Sequence, residues 1–219
     1  MDPRSNPRGG QTPAACDDLR CLVYQHVASL FDDVPDVLPA PVDEDPREPP
    51  MRSARETHPR TLDAIEALRQ TFLAHPRVGI ETEQVRLFVN APGGVAAPPY
   101  ASWYLDGRLI GPACEWAAGE YRGESLDVAA DAGEPADFIA TELEYLYFLC
   151  RHERAARLTA DRAALDRVVR AQARFLHEHL LRWMPAFLRR LRAAAPHPVF
   201  ARVADLLDVF CEEEARYLV

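Results

Sequence analysis

Apolar residues recur every three or four positions over most of the chain, which is the spacing of helices that bury one face. This spacing predicts helices over Asp17–Leu30, Thr61–His75, Thr159–Arg182 and Val199–Tyr217, and shorter ones over Glu81–Val89 and Phe187–Ala195. From Glu134 onward the whole chain is predicted to be helical, and few strands are expected. The sequence therefore predicts an all-α fold, a single-domain helical bundle of about six to nine helices with long Pro-rich loops.

Two prolines mark expected boundaries among the later helices. Pro135 suits a first helical turn, which places Glu134 and Asp137 near the positive end of the helix dipole. Pro185 predicts a break or a fresh helix start. The helix after Pro135 should face the core with one stripe of residues, namely Ile139, Leu143, Leu146 and Cys150.

An acidic, Pro-rich insertion separates the first two helices. Residues 32–60 carry seven prolines, which disfavour both a helix interior and a central strand. Within the insertion, Val37, Leu38 and Val42 are expected to reach the core. Residues 1–15 are predicted to be disordered, so the folded domain is expected to cover residues 16–219.

The Gly- and Pro-rich segment Asn90–Cys114 leaves two conformations open. Asp106 and Gly107 suit a type I′ turn, so the residues around them favour a β-hairpin over Trp103–Ile110. Because an isolated hairpin is only marginally stable, a long ordered loop is an equal alternative.

The residue inventory excludes several kinds of chemistry. All 25 basic residues are Arg, so no lysine can bind a phosphate, form a Schiff base or act as a general base. The chain has no G-x-x-x-x-G-K-[ST], G-x-G-x-x-G, G-x-S-x-G or H-E-x-x-H motif. Its five cysteines form no C-x-x-C pair, which indicates free thiols. The sequence predicts no enzymatic activity, no metal and no bound cofactor.

The chain also lacks the apolar runs that membranes require. No stretch approaches eighteen consecutive apolar residues, and the N-terminus has Arg residues without the apolar segment of a secretory signal. We therefore expect a cytoplasmic protein without stable membrane insertion.

Positive charge is concentrated in one segment. Residues 151–192 hold eleven Arg against four acids, whereas the chain as a whole has a net charge of −9. A solvated helix face, partly paired with acids elsewhere in the chain, explains this best, and no nucleic-acid partner is expected. The alternative is an all-helical nucleic-acid-binding regulator that uses this Arg-rich segment.

Glu142 stands out among the carboxylates of Glu134–Cys150. Helical spacing places it in line with Phe138, Tyr145 and Leu149, whereas Glu144 is predicted to face solvent. A carboxylate among apolar neighbours must be exposed at a groove edge, paired with Arg, or protonated. Glu142 is therefore predicted either to form an internal ion pair with an Arg such as Arg86, or to meet the cation of a ligand.

Four blocks of sequence resemble the TorD/DmsD-type (NarJ-like) chaperones, which assist the maturation of molybdoenzymes before export. In chain order they are EQVRLFVNAPGG, PPYASWYLDGRLIG, EPADFIATELEYLYFL and FLHEHLLRWMPAFLRRL, at residues 83–94, 98–111, 134–149 and 175–191, named blocks one to four here. The resemblance covers about Asp17 to Val219 apart from the Pro-rich insertion. One departure is Phe138, where the family usually has His.

The resemblance implies a cytoplasmic chaperone that binds the twin-arginine leader and the apo form of a molybdenum-containing oxidoreductase catalytic subunit. A receptor for such a leader needs an apolar groove and carboxylates for the guanidinium groups. The expected peptide-binding residues are Tyr100, Ser102, Trp103, Tyr104, Asp137, Phe138, Glu142 and Tyr145. The sequence leaves open whether the protein contacts a molybdenum cofactor or a nucleotide. It also leaves open whether the protein is a monomer or a homodimer.

Overall fold

The computed structural model describes residues 19–38, 54–90, 94–126, 133–194 and 196–219. Ten α-helices lie within these ranges: α1 (Leu19–Asp32), α2 (Ala54–Thr57), α3 (Pro59–Leu73), α4 (Arg77–Gln84), α5 (Ala101–Leu105), α6 (Pro112–Gly123), α7 (Ile139–Leu158), α8 (Arg162–Phe175), α9 (Leu181–Ala193) and α10 (Pro198–Tyr217). Two π-helical turns, Val85–Val89 and Leu176–Leu180, extend α4 and join α8 to α9. The predicted all-α fold is confirmed.

Helix α1 lies at the centre of the bundle. Its buried residues surround the helix, whereas the sequence pattern had indicated a single buried face. It packs along α7, which also packs along α8, while α10 packs against α3 and α9. None of the described helices is long and apolar enough to cross a membrane.

Aromatic side chains fill the core beneath α9. Phe187 has its ring 5.9 Å from that of Phe31, 6.4 Å from that of Phe88 and 5.5 Å from that of Trp183. Phe88 also makes an edge-on contact with Phe200 at 5.3 Å. These rings join α1, the first π-helical turn, α9 and α10 into one core.

The start of the Pro-rich insertion docks on the core, though not through all the predicted residues. Leu38 is buried as expected, but Val37 is 61% exposed and Val34 is buried in its place. Val42 and residues 1–15 lie outside the described residues. The correction at Val37 has a simple cause, because Pro35 and the bend at Asp36 break the local pattern on which the prediction rested.

The hairpin predicted for Trp103–Ile110 is wrong. Residues 101–105 form the short helix α5, and Gly107 adopts a positive φ of 69° in the turn that comes after it. The Asp106 carboxylate accepts a hydrogen bond from the Ala113 backbone N–H at 2.9 Å, at the start of α6. A side chain at Gly111 would collide with that of Asp106. Capping of α6 therefore decides the path of this loop.

Both predictions made from prolines are also wrong. Helix α7 begins at Ile139, and Pro135 lies in a preceding turn that the Phe138 N–H closes on the Pro135 carbonyl at 3.0 Å. Pro185 lies inside α9 without ending it. Pro185 is the fifth residue of α9, so its missing N–H removes only the hydrogen bond to the carbonyl of Leu181, the first residue of the helix.

A buried ionic cluster holds the other side of the bundle together. The Arg20 guanidinium on α1 donates to both carboxylate oxygens of Glu214 on α10, at 2.5 and 2.9 Å, and to Glu153 on α7 at 2.7 Å. Gln172 on α8 accepts a further hydrogen bond from Arg20 at 2.5 Å, and His58 before α3 contacts Glu214 at 2.9 Å. Five separate segments therefore converge on one arginine and one glutamate.

The three consecutive glutamates of α10 have different partners. Glu214 lies in the ionic cluster, whereas Glu213 accepts hydrogen bonds from the Thr61 N–H at 3.0 Å and the Thr61 hydroxyl at 2.7 Å, in the first turn of α3. Glu212 is exposed and pairs with the exposed Arg60 at 2.7 Å. The exposed pair contributes little to stability, but the two buried carboxylates fix α3 against α10.

We expect Glu214→Gln to lower the free energy of unfolding at neutral pH by about 3 kcal/mol, because it removes a buried counter-charge from Arg20. Burial alone would raise the pKa of Glu214, but the charge of Arg20 and the hydrogen bonds from His58 and Arg20 lower it to about 2. The stability from this carboxylate is thus complete above its unfolded pKa, near 4.5, and is lost as the pH falls towards 2.

Urea unfolding at pH 7 and pH 3.5 tests this prediction. The difference in the free energy of unfolding between the Glu214→Gln variant and the unsubstituted protein should be smaller at pH 3.5 than at pH 7. Glu212→Gln, two residues away on the exposed face, is the matched control and should unfold like the unsubstituted protein. Equal stability of the two variants would contradict the role given to Glu214.

A histidine caps the N-terminus of α10. The Val199 N–H donates to Nδ1 of His197 at 3.3 Å, so this nitrogen carries no proton in the capped state. The ring lies 4.8 Å from that of His75, and the His197 N–H donates to Glu83 at 2.8 Å. Burial and the neighbouring His75 lower the pKa of His197 below its usual value near 6.5, against the opposing charge of Glu83.

The free energy of unfolding should therefore fall as the solution is acidified through pH 6.5, because the unfolded chain binds the proton at His197 more tightly than the folded chain does. His197→Asn keeps a capping oxygen without a titrating ring and should reduce the change in thermal midpoint between pH 8 and pH 5.5. His197→Ala, the control without a cap, should be less stable at both pH values. An unchanged pH dependence in His197→Asn would contradict this assignment.

Candidate functional site

All four sequence blocks meet at one place in the fold. Block one contacts block four through the rings of Phe88 and Phe187, and block two contacts block four where Tyr104 stacks on Trp183 at 5.7 Å. Block three contacts block four through Glu142, and backbone hydrogen bonds join blocks two and three. This meeting point, formed by residues 87–88, 99–104, 137–142 and 179–187, is named the four-block junction here.

Blocks two and three run alongside each other over a few residues. The Ile139 N–H donates to the Pro99 carbonyl at 2.9 Å, and the Ala101 N–H donates to the Asp137 carbonyl at 3.1 Å. These bonds flank an antiparallel bridge between Tyr100 and Phe138, whose rings lie 5.6 Å apart. The starts of α5 and α7 are therefore fixed relative to each other by the backbone.

Asp137 is a buried carboxylate with one unused oxygen. Its Oδ2 accepts a hydrogen bond from the Ser102 N–H at 2.7 Å, which caps the start of α5. Its Oδ1 and the Ser102 hydroxyl are both buried without a close hydrogen-bond partner among the described residues. The Cys114 thiol lies beside this carboxylate, and burial together with Asp137 raises the pKa of that thiol. A buried acceptor without a donor raises the free energy of the folded state. A new donor to Asp137 Oδ1 would therefore stabilise the junction.

Glu142 is bonded wholly within the junction. It is fully buried, and its two oxygens contact His179 Nε2 at 2.6 Å and the indole N–H of Trp183 at 3.1 Å. The His179 ring stacks on Trp116 at 4.9 Å, so the carboxylate and its partners form a closed polar group between aromatic rings. Burial raises the pKa of Glu142, and the contact with His179 opposes that rise.

Neither partner expected for Glu142 from the sequence is found. Arg86 pairs with Glu83 at 2.6 Å, and the Glu142 side chain has no exposed surface through which to meet a ligand. Local spacing gave no signal for His179 as its partner, because 37 residues separate the two. Glu144 is exposed, as predicted.

The eight predicted peptide-binding residues divide by exposure. Five are buried, namely Ser102, Asp137, Phe138, Glu142 and Tyr145, so none of these five is accessible to a peptide in this conformation. Tyr100 and Tyr104 are half-buried, and Trp103 is 39% exposed. An open cleft with Asp137 and Glu142 at its mouth is therefore absent from the described part of the chain.

The segment from α5 to the start of α6 exposes three apolar residues, which are named the apolar ridge here. Trp103 belongs to it, together with Leu109 and Ile110 in the turn between α5 and α6, which are 47% and 65% exposed. On the block-three side, the Tyr100 hydroxyl donates to the exposed carboxylate of Glu134 at 2.8 Å. Leu109, Ile110 and Glu134 were not predicted as binding residues, because local spacing does not show which residues of a loop stay exposed.

The Arg-rich segment is partly neutralised by acids of the same chain. Arg157 pairs with Glu153 at 2.6 Å, Arg174 pairs with Glu120, and Arg192 contacts Asp208 at 2.9 Å. These pairs agree with the prediction of a solvated, partly paired helix face. They leave the nucleic-acid alternative without a specific supporting contact.

A separate cleft of about 400 Å³ lies between α1 and α7, away from the four-block junction. Asp32 and Glu144 line it together with Ser29 and Tyr147. Among the described residues, no group of three or more His, Cys, Asp or Glu side chains is placed to hold a metal ion. Four cysteines, at positions 21, 114, 150 and 211, are buried.

The chain is similar in sequence to one protein family and to several chaperones of known name. The family model described as nitrate reductase delta subunit matches residues 56–189 of this chain. The chaperone protein TorD of Vibrio cholerae is 29% identical over 124 residues, which are 56% of this chain and 55% of that protein. The selenate reductase assembly chaperone protein of Thauera selenatis is 41% identical over 73 residues, 33% of this chain and 37% of that protein.

The chain spans little more than half the length of the TorD relatives it matches. A crystal structure from Archaeoglobus fulgidus, of a protein assigned to redox enzyme maturation, superposes with a TM-score of 0.54 over 93% of this chain and 99% of that one. At 19% identity this likeness concerns the fold alone. Since the family model covers more than half of the chain and all or most of each block, the chain belongs to the nitrate reductase delta subunit family, as its resemblance to the TorD/DmsD-type chaperones predicted.

Proposed function

We propose that this protein is a chaperone, without catalytic activity, for the catalytic subunit of a molybdenum-containing oxidoreductase. It binds the apo subunit and its twin-arginine leader in the cytoplasm and assists cofactor insertion before export. Family membership and the names of two relatives, a TorD chaperone and a selenate reductase assembly chaperone, support this proposal. The observation that carries it is the convergence of all four blocks on one junction.

The surface beside the junction is suited to the apolar part of a leader. Trp103, Leu109 and Ile110 present apolar side chains on a short ridge, and the half-buried Tyr100 and Tyr104 adjoin it. Exposed apolar groups held by an ordered turn lose little conformational entropy on binding. An amphipathic helix can cover such a ridge with one face.

The arginines of the leader require carboxylates, and Glu134 is the carboxylate best placed to meet them. Glu134 is exposed and already bonded to Tyr100, so it can accept a guanidinium without any rearrangement. Asp137, with its unused Oδ1, becomes a second acceptor if the bridge between blocks two and three opens. Glu142 is proposed to support the site by fixing His179 and Trp183.

The proposal is tested by titrating the protein with a twin-arginine leader peptide and with a peptide of the same composition in scrambled order. Binding of the leader alone, or of an apo catalytic subunit that carries it, is the expected result. If neither the peptide nor the whole apo subunit binds above the scrambled control, the proposed function is wrong.

Trp103→Ala and Glu134→Gln should each weaken leader binding, by about tenfold for the tryptophan and somewhat less for the exposed carboxylate. The tryptophan supplies apolar contact area, and the glutamate supplies the charge for an arginine. Isothermal titration calorimetry measures both effects. Glu115→Gln, at an exposed acid of α6 outside block three, is the matched control and should bind like the unsubstituted protein.

Glu142→Leu should lower the free energy of unfolding by about 2–4 kcal/mol, because it leaves the donors of His179 and Trp183 buried without an acceptor. Glu142→Gln should cost less, since its amide can still bond both partners. Leader affinity, measured well below the unfolding transition, should stay unchanged in Glu142→Gln. A large loss of affinity at unchanged stability would instead place Glu142 in contact with the peptide.

A further inference from the structure

Ile110, in the turn between α5 and α6, has a backbone conformation that its side chain disfavours. Its φ is 54°, in the left-handed region, where the β-carbon crowds the following carbonyl oxygen. For a β-branched residue this conformation is a genuine outlier. The side chain is also 65% exposed, so little packing compensates for the strain. Ile110 therefore raises the free energy of the folded state both by its backbone and by its apolar exposure.

Two other described residues that are not glycine have a positive φ, and both have an ordinary explanation. Ser125 and Ala160, with φ of 59° and 54°, each come directly after the cap that ends a helix, α6 and α7 respectively. After α7, the Ala160 N–H donates to the Arg157 carbonyl at 3.2 Å and the Asp161 N–H donates to the Ala156 carbonyl at 2.9 Å. The same pair of bonds follows α6. These bonds form Schellman motifs, in which a left-handed residue is expected.

Ile110 ends no helix. It lies five residues after the end of α5 and two residues before the start of α6. Its N–H and carbonyl make no hydrogen bond within the described part of the chain. The turn is closed instead by Asp106, which accepts a hydrogen bond from the Ala113 N–H at 2.9 Å and leaves no room for a side chain at Gly111. This closure holds Ile110 in place, although glycine or asparagine would adopt the same φ more easily.

Backbone strain that no local hydrogen bond explains is typical of sites where a protein presents a side chain to a ligand. We propose that Ile110 is the residue of the apolar ridge that determines specificity for the apolar stretch of the leader. The closed turn fixes its side chain before binding, so the contact loses little conformational entropy. This inference rests on the proposed function and assigns one side chain to one part of the leader.

The charge beside Ile110 favours the apolar stretch of the leader over its arginines at this position. Arg108 is exposed and has no ion pair among the described residues. A guanidinium of the leader would be repelled there, whereas the exposed carboxylate of Glu134 attracts one. Leu109, which is 47% exposed, adds apolar area next to Ile110. The tip of the turn therefore offers a partner apolar contact flanked by positive charge.

Ile110→Asn separates binding from stability. Asparagine adopts the left-handed conformation more readily than isoleucine and removes the exposed apolar group. The thermal midpoint, measured by circular dichroism, should rise by about 2–4 °C as the strain is relieved. Leader affinity, measured by isothermal titration calorimetry, should fall by about tenfold. A side chain that served only the fold would change the midpoint in the opposite direction.

Ala160→Asn is the matched control, because it introduces the same residue at the same φ. The position lies at the end of α7, outside all four blocks. The thermal midpoint should rise, though by less than in Ile110→Asn, since alanine has no β-branch to strain. Leader affinity should equal that of the unsubstituted protein. A loss of affinity in this variant as large as in Ile110→Asn would contradict the assignment to Ile110.

Two altered leader peptides show which part of the leader Ile110 contacts. In one, two apolar residues of the stretch are replaced by Ser; in the other, the two arginines are replaced by Lys, which keeps their charge. The loss of affinity caused by Ile110→Asn should shrink with the first peptide and stay near tenfold with the second, because only residues in contact have coupled effects.

Each contrary result has a distinct meaning. If the leader binds the unsubstituted protein and Ile110→Asn equally well, the role of Ile110 is wrong while the proposed function stands. A lower thermal midpoint in Ile110→Asn would show that its side chain stabilises the fold, which removes the argument from strain. An equal loss with all leader peptides would place Ile110 outside contact with the apolar stretch. If neither the leader nor the apo subunit binds the unsubstituted protein, both proposals are wrong.

Discussion

The pairing of Arg20 with Glu214 is the contact on which this bundle depends most. A guanidinium that is almost fully removed from water is tolerated only when its donors are satisfied, and here they reach α7, α8 and α10 at once. Because the same glutamate also holds His58, the N-terminus of α3 is fixed by the same group. One charge on the central helix therefore sets the relative positions of four others.

A second buried carboxylate plays a comparable part at the four-block junction. Glu142 joins α7 to the second π-helical turn, Leu176–Leu180, and to α9. Glu214 joins α10 to α1 in the same way. The two clusters differ in their surroundings, because the junction is bordered by an exposed apolar ridge and contains the unused oxygen of Asp137. Rigid support beneath an exposed surface is a suitable arrangement for binding another polypeptide.

The positions of several helices were predictable because these helices bury a stripe that local spacing reveals. The ends of α3 and α10, and the core stripe of α7, agree with the sequence pattern to within a few residues. The segments without such a stripe were predicted poorly. The turn at Asp106 and Gly107 has the local signal of a hairpin, but Asp106 caps the next helix instead. A cap depends on which backbone N–H groups the fold brings near the side chain, and hairpin signals carry no information about that.

The sequence by itself determined the fold class, the family and the set of blocks that carry the resemblance, because these depend on short-range spacing and residue identity. Only the tertiary structure decided where the carboxylates of Glu142 and Glu134 lie. Glu142 and Glu134 lie in the same block, yet one bonds His179 from another helix and the other stays at the surface beside Tyr100. Burial depends on which helices pack together, and contacts between residues far apart in the chain have no counterpart in local periodicity.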